Sequence, residues 1–137
     1  MTSYLLDTNV ISEVRARRPH GALIAWLSAH DEKQLFLPAV AIGELQNGVE
    51  LTRRQNPEKA GEIEGWIELL IATYRVLPMD AACFREWARL MHGRPDAMLS
   101  EDAMIAAIAR VHGLTVLTRN ERDFAHFHVA IVNPFKS

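Results

Sequence analysis

Five short apolar runs separated by stretches of helical periodicity constrain this chain more than any other feature. Tyr4-Leu5-Leu6, Leu35-Phe36-Leu37, Arg75-Val76-Leu77-Pro78, Thr115-Val116-Leu117-Thr118 and Val129-Ala130-Ile131-Val132 read as short strands, the first two buried and the fifth at an edge. Helical segments fill the spaces between them, so the connections are crossovers. Crossovers make the sheet parallel and place helices on both of its faces.

Local signals sketch the helices. Thr8 or Asn9 is expected to cap the first, which carries Val10, Ile11 and Val14 and is broken by Arg17-Arg18-Pro19. The second carries Leu23, Ile24 and Leu27, with Trp26 beside them. A long helix spans about Ala39 to Arg54, with Val40, Gly43, Leu45, Val49 and Leu51 at its apolar positions. Asn56-Pro57 ends it, and the next helix runs through Ile63, Trp66, Ile67, Leu70 and Ile71. Ala81 to His92 is helical and Gly93-Arg94-Pro95 is a loop. Ser100 is expected to cap a helix with Glu101 and Asp102 in its first turn and Gly113 at its end. Asn120 to Phe124 is a loop or short helix.

Bulk properties narrow the function. The length of 137 residues suits one compact domain, and a hydrophobic share of 49% supplies a core. The formal net charge is -2, which excludes nucleic-acid binding through bulk positive charge and leaves only local basic patches. Arg15-Ala16-Arg17-Arg18 and Arg53-Arg54 could track a backbone, but solvated helix ends explain them better. The single cysteine, Cys83, rules out an internal disulfide and a cysteine-based zinc site, and its apolar neighbours suit a buried thiol. His126 and His128 form an H-x-H pair without an evident third ligand. No signal peptide and no apolar stretch near ~20 residues are seen, so a soluble cytoplasmic protein with no membrane contact is expected.

The chemistry points to acids. Ligands of an open parallel sheet bind outside the carboxyl ends of its strands. Asp7 directly follows the first strand, Glu44 lies in the helix after the second, and Asp123 lies just after the fourth. These three could share one rim. Asp102 joins them only if its helix begins at the same end, which the topology alone leaves open. Each acid also has an ordinary role. Asp7 could cap a helix, Asp102 or Glu101 could complement a helix dipole, and Asp123 could be a loop acid. A solvated Glu44 fits its apolar helix stretch poorly. Thr8, Asn9, Thr118 and Asn120 could orient carboxylates or serve turns and caps. Arg119 and Arg122 could hold RNA phosphates or simply be solvated.

Four segments taken in order resemble one family. Tyr4-Leu5-Leu6-Asp7-Thr8-Asn9-Val10-Ile11, Ala41-Ile42-Gly43-Glu44-Leu45-Gln46-Asn47-Gly48, Glu101-Asp102-Ala103-Met104-Ile105-Ala106-Ala107 and Leu117-Thr118-Arg119-Asn120-Glu121-Arg122-Asp123-Phe124 are similar to the four acidic motifs of PIN-domain nucleases, especially the VapC- and FitB-like toxins of bacterial toxin–antitoxin pairs. Val132-Asn133-Pro134 also fits. The resemblance implies a single PIN-like domain over residues 1–137 and a three-layer α/β/α sandwich around a parallel sheet of about five strands. It implies endoribonuclease activity with Asp7, Glu44, Asp102 and Asp123 as catalytic residues and ligands of Mg²⁺, for which Mn²⁺ can substitute. It further implies a homodimer and inhibition by a small antitoxin with a DNA-binding N-terminal part. Converging carboxylates call for such a cation, and Mg²⁺ favours oxygen ligands. Whether one ion or two acts is left open.

Rivals from other classes make different demands. A receiver-like Mg²⁺-binding signalling domain wants paired acids after the first strand and a lysine after the last; here Thr8 and Asn9 follow Asp7, and no lysine precedes Pro134 in the fifth strand. A non-catalytic nucleic-acid-binding regulator of the same fold has no use for a complete acidic set. A DNA nuclease with the same site is not excluded, because the acids act on phosphate rather than sugar.

Overall fold

The computed structural model describes residues 2–94 and 99–136. Pro95 of the expected 93–95 loop lies outside them. The strands are β1 (Tyr4–Leu6), β2 (Leu35–Pro38), β3 (Arg75–Leu77), β4 (Thr115–Leu117) and β5 (Ile131–Val132). All neighbours pair in parallel, in the order β3-β2-β1-β4-β5. The helices are α1 (Thr8–Val14), α2 (Gly21–Ser28), α3 (Ala39–Arg53), α4 (Pro57–Thr73), α5 (Ala81–Met91), α6 (Ser100–His112) and α7 (Glu121–Ala125).

Strand periodicity divides the core. Successive residues of a strand point to opposite faces. Leu5, Val116, Leu77 and Ile131 pack on one face with Cys83 of α5, Ile105 and Ile108 of α6, and Phe124. Their chain neighbours Leu6, Leu117, Val76 and Val132 pack on the other with Val10, Ile11, Leu23, Ala41 and Leu70. The sandwich therefore has three layers, with α1, α2 and α4 on one side and α5, α6 and α7 on the other. Helix α6 is the most buried because Ala103, Ala106, Ala107 and Ala109 let it approach the sheet closely. Gly113 closes it at φ +68, a left-handed conformation that favours glycine. A core leucine such as Leu5, fully buried, contributes about 2–5 kcal/mol against truncation to alanine.

Several local expectations are corrected. Asp7, not Thr8 or Asn9, is the N-cap of α1, and that helix ends at Val14, before the Arg-Arg-Pro break. Leu99 rather than Ser100 precedes α6; Ser100 is its first residue, and its carbonyl instead accepts the Trp87 indole N–H at 3.1 Å. On α3 the buried positions are Ala41 and Val49, whereas Gly43 and Leu51 face outward, because the helix packs on α4 as well as on the sheet. Leu51 is 56% exposed. Strand β5 starts two residues late, at Ile131, where its pairing with Val116 begins. Asn120–Phe124 resolves as the short helix α7. Among the described residues, no helix is long and apolar enough to cross a membrane.

Candidate active site

The register of β1 against β4 fixes the centre of the site. Leu6 lies opposite Leu117, so Asp7 and Thr118 leave the sheet side by side at the carboxyl ends of two neighbouring strands. The Asp7 N–H donates to the Leu117 carbonyl at 3.0 Å and holds the backbone there. Asp7 is only 4% exposed, so its carboxylate needs donors. It has three. The Thr8 N–H donates to Oδ1 at 2.8 Å, while Asn9 Nδ2 and Thr118 Oγ1 donate to Oδ2 at 3.0 and 2.8 Å. The capping role and the site role thus coincide in one side chain.

These donors are themselves anchored. Thr118 Oγ1 accepts the Asn120 N–H at 2.9 Å, and Asn9 Oδ1 accepts the Arg119 N–H at 3.3 Å. Thr8, Asn9 and Thr118 therefore touch the acids. Asn120 supports the site through its backbone N–H. Thr8 extends the network: its Oγ1 donates to Glu44 Oε1 at 2.8 Å and links α1 to α3.

Charge crowding shows which acids meet. Burial, above all, raises the Asp7 carboxyl, and the Asp123 charge adds to it. Burial also raises Glu44 from 4.5 to about 7, with further pressure from Glu101 and Asp7. Asp102 is raised to about 6 by burial and by the charges of Asp7, Asp123 and Glu101. Asp7 therefore lies within charge range of Asp123, Glu44 and Asp102, and Asp102 within that of Asp123, whereas no such interaction joins Glu44 to Asp102 or Asp123. The structure adds Glu101, whose charge presses on both Glu44 and Asp102. Sequence reasoning had seen Glu101 only as a first-turn acid. Its adjacency to Asp102 hid it, because consecutive helical residues point about 100° apart and only the arrival of α3 beside α6 gives each its own partner.

The donor set suits a hard cation. No Lys or Arg figures among the groups acting on Asp7, Glu44 or Asp102. Among the described residues, no three His, Cys, Asp or Glu side chains gather closely enough to hold an ion by themselves. The acids form an open cluster rather than a closed cage, which suits Mg²⁺, an ion that takes one or two carboxylates and keeps several waters. His126 and His128 are exposed.

The basic candidates divide. Arg119 places its guanidinium 3.8 Å from the Phe135 ring centroid and 3.6 Å from Glu13 Oε1. Arg122 is exposed on α7. Lys136, the single lysine after β5, pairs with Glu121 at 2.6 Å rather than with the acidic centre, which disfavours a receiver-like pocket. Cys83 is fully buried and burial pushes its thiol up to about 11, the inert thiol its setting suggested.

The raised carboxyls set a pH dependence. Without metal, the folded protein keeps protons on Glu44 and Asp102 that the unfolded chain releases near pH 4, so stability falls as pH rises through 6 and 7. Thermal melts in EDTA are expected to show a higher Tm at pH 5.5 than at pH 8, by about 3–5 °C for each kcal/mol involved. An equal or higher Tm at pH 8 contradicts the crowding of the acids.

Comparison with known proteins shows the family and the fold. The family described as PIN domain matches residues 4–129. Toxin FitB of Neisseria gonorrhoeae is 36% identical over 96% of this chain and 97% of its own. VapC ribonuclease Y4jK of Sinorhizobium fredii is 33% identical over 96% of this chain and 97% of its own. The crystal structure of FitAcB from Neisseria gonorrhoeae superposes with a TM-score of 0.86 at 33% identity, covering 98% of this chain and 99% of that one.

Proposed function

Because this chain belongs to the PIN domain family, we propose that it is a divalent-metal-dependent endoribonuclease, the toxin of a toxin–antitoxin pair. The observation that carries the reading is the buried Asp7 carboxylate, held by three donors at the end of β1 while the Asp123 charge presses on it. A surface acid needs no such setting. Similarity to a protein named a ribonuclease supplies the substrate class, and similarity to the FitB toxin supplies the cellular role.

Asp7, Glu44, Asp102 and Asp123 are the residues that would hold Mg²⁺, or Mn²⁺ in its place. When bound, the metal supplies positive charge that polarises the scissile phosphate and favours ionised water at neutral pH. The chain's own groups do the positioning. Thr118 and Asn9 fix Oδ2 of Asp7, and the Thr8 N–H fixes Oδ1, so the carboxylate cannot rotate. The Thr8 hydroxyl holds Oε1 of Glu44, leaving Oε2 as the freer oxygen. Arg122, exposed on α7, would hold an RNA phosphate, and Arg119 would do so on leaving Glu13. The expected assembly is a homodimer bound by a small antitoxin whose N-terminal part binds DNA, acting in the cytoplasm.

The test is RNA cleavage mapped by sequencing after expression of wild type and Asp7→Asn. New RNA 5′ ends should appear with wild type and vanish with the variant. Matching maps from the two proteins would remove Asp7 from the mechanism. A wild type that leaves RNA intact while cutting DNA would overturn the substrate assignment.

A further inference from the structure

Two grooves meet the acidic site at Glu44, and they differ in charge. One, lined by Val40, Met79, Phe84, Met104 and Glu101, carries a carboxylate and no cation. The other runs from Thr8 and Glu44 past Ser12 and Arg15 to Trp66, between α1 and the α3–α4 pair, and encloses about 450 Å³. That volume lies within the range of ligand sites, roughly 300–1,000 Å³.

We propose that this second groove seats the nucleotide next to the scissile phosphate, with Arg15 holding a phosphate and Trp66 offering its indole to a base; the proposal rests on the ribonuclease reading above. The arginines sort accordingly. Arg53, Arg89, Arg110 and Arg119 are engaged by glutamates, and Arg94 binds two backbone carbonyls. Arg15, like Arg54, Arg75, Arg85 and Arg122, has no ion pair among the described residues; it is exposed, and what sets it apart is its place in this groove, with its guanidinium 5.7 Å from the Trp66 ring centroid. Arg17 and Arg18 follow it on the same exposed segment. In a chain of net charge -2, Arg15 brings a cation into the same groove as Glu44. A polyanion entering the site is drawn to this side and repelled from the Glu101 side. Cation, ring and adjoining hydroxyls match a nucleotide, since bases stack on aromatic side chains while arginines hold the backbone. A peptide from a partner protein is the competing occupant.

The test uses the cleavage-silent Asp7→Asn protein and a short fluorescein-labelled single-stranded RNA, with Kd read by anisotropy across KCl concentrations. Adding Arg15→Gln should weaken binding about fivefold and lower the slope of log Kd against log salt by about 0.7, the value of one phosphate contact on a single strand. In the active protein the same change should raise KM with little change in kcat. Trp66→Leu should weaken binding at least fivefold, about what loss of one stacked base costs, and Trp66→Tyr should restore most of it. Trp66 also packs in the core, so Arg15→Gln, an exposed change, decides the matter if Trp66→Leu fails to fold. Unchanged Kd and slope for Arg15→Gln, while the Asp7→Asn parent binds RNA, overturn the subsite and leave the ribonuclease reading standing. Weakened capture of a protein partner with RNA binding intact overturns it in favour of a peptide groove. If wild type neither binds nor cuts RNA, the underlying reading falls and the subsite falls with it.

Discussion

Asp102→Asn is expected to cut RNA cleavage at least about 100-fold, several kcal/mol of lost electrostatic stabilisation, while leaving the metal-free protein at pH 8 as stable as wild type or more so. Asp102 is half-buried in the first turn of α6, and its carboxyl is pushed up to about 6 by burial and by the charges of Asp7, Asp123 and Glu101. Unlike Asp7, it accepts no hydrogen bond among the described residues. Its ionised form therefore strains the apo fold, and an amide of nearly equal volume removes that strain. An ordinary first-turn acid behaves in the opposite way: its loss costs about 0.3–1 kcal/mol of helix stability with little effect on turnover. Thermal melts in EDTA paired with cleavage in Mg²⁺ separate the two. An earlier melt with near wild-type cleavage would make Asp102 structural. Asp7→Asn is expected to be equally inactive but less stable, because its new amide NH₂ must face groups that are already donors, at a cost of about 1–3 kcal/mol.

EDTA is expected to abolish cleavage, and Mg²⁺ or Mn²⁺ to restore it. Among the described residues no Lys or Arg acts on Asp7, Glu44 or Asp102, so a cation must come from solvent if these acids are to ionise together. Binding only the folded state, the metal should also stabilise it, by about 2.7 kcal/mol at a hundred times its Kd. The gain should grow from pH 5.5 to pH 8, because the ion competes with protons on Glu44 and Asp102 below their raised values. Full activity in EDTA, or a Tm indifferent to Mg²⁺ at pH 8, would contradict a metal site.

The elements were legible because strands buried on both faces must be apolar throughout, so Tyr4–Leu6, Leu35–Pro38 and Thr115–Leu117 stand out from their flanks. Their order in the sheet was not legible. Nothing local says that β1 sits between β2 and β4, yet that adjacency puts Thr118 against Asp7 across 111 residues of sequence. Asp7, Glu44 and Asp123 could be assigned to one rim from topology, whereas Asp102 depended on where α6 begins, which only packing decides. Periodicity misjudged α3 at Gly43 and Leu51 because a helix that packs on both a sheet and another helix buries a broken stripe. Glu101 escaped notice for a related reason: its partner Glu44 comes from a helix far away in the chain.

The most direct test of the acidic cluster as the metal centre of an RNA-cutting enzyme is an anomalous difference map from crystals soaked in Mn²⁺. A manganese peak is expected between the carboxylates of Asp7 and Asp102, within reach of Glu44 and Asp123, and lost in crystals of Asp102→Asn. A peak absent from this cluster, or found only elsewhere, in a protein that still cuts RNA would contradict that assignment.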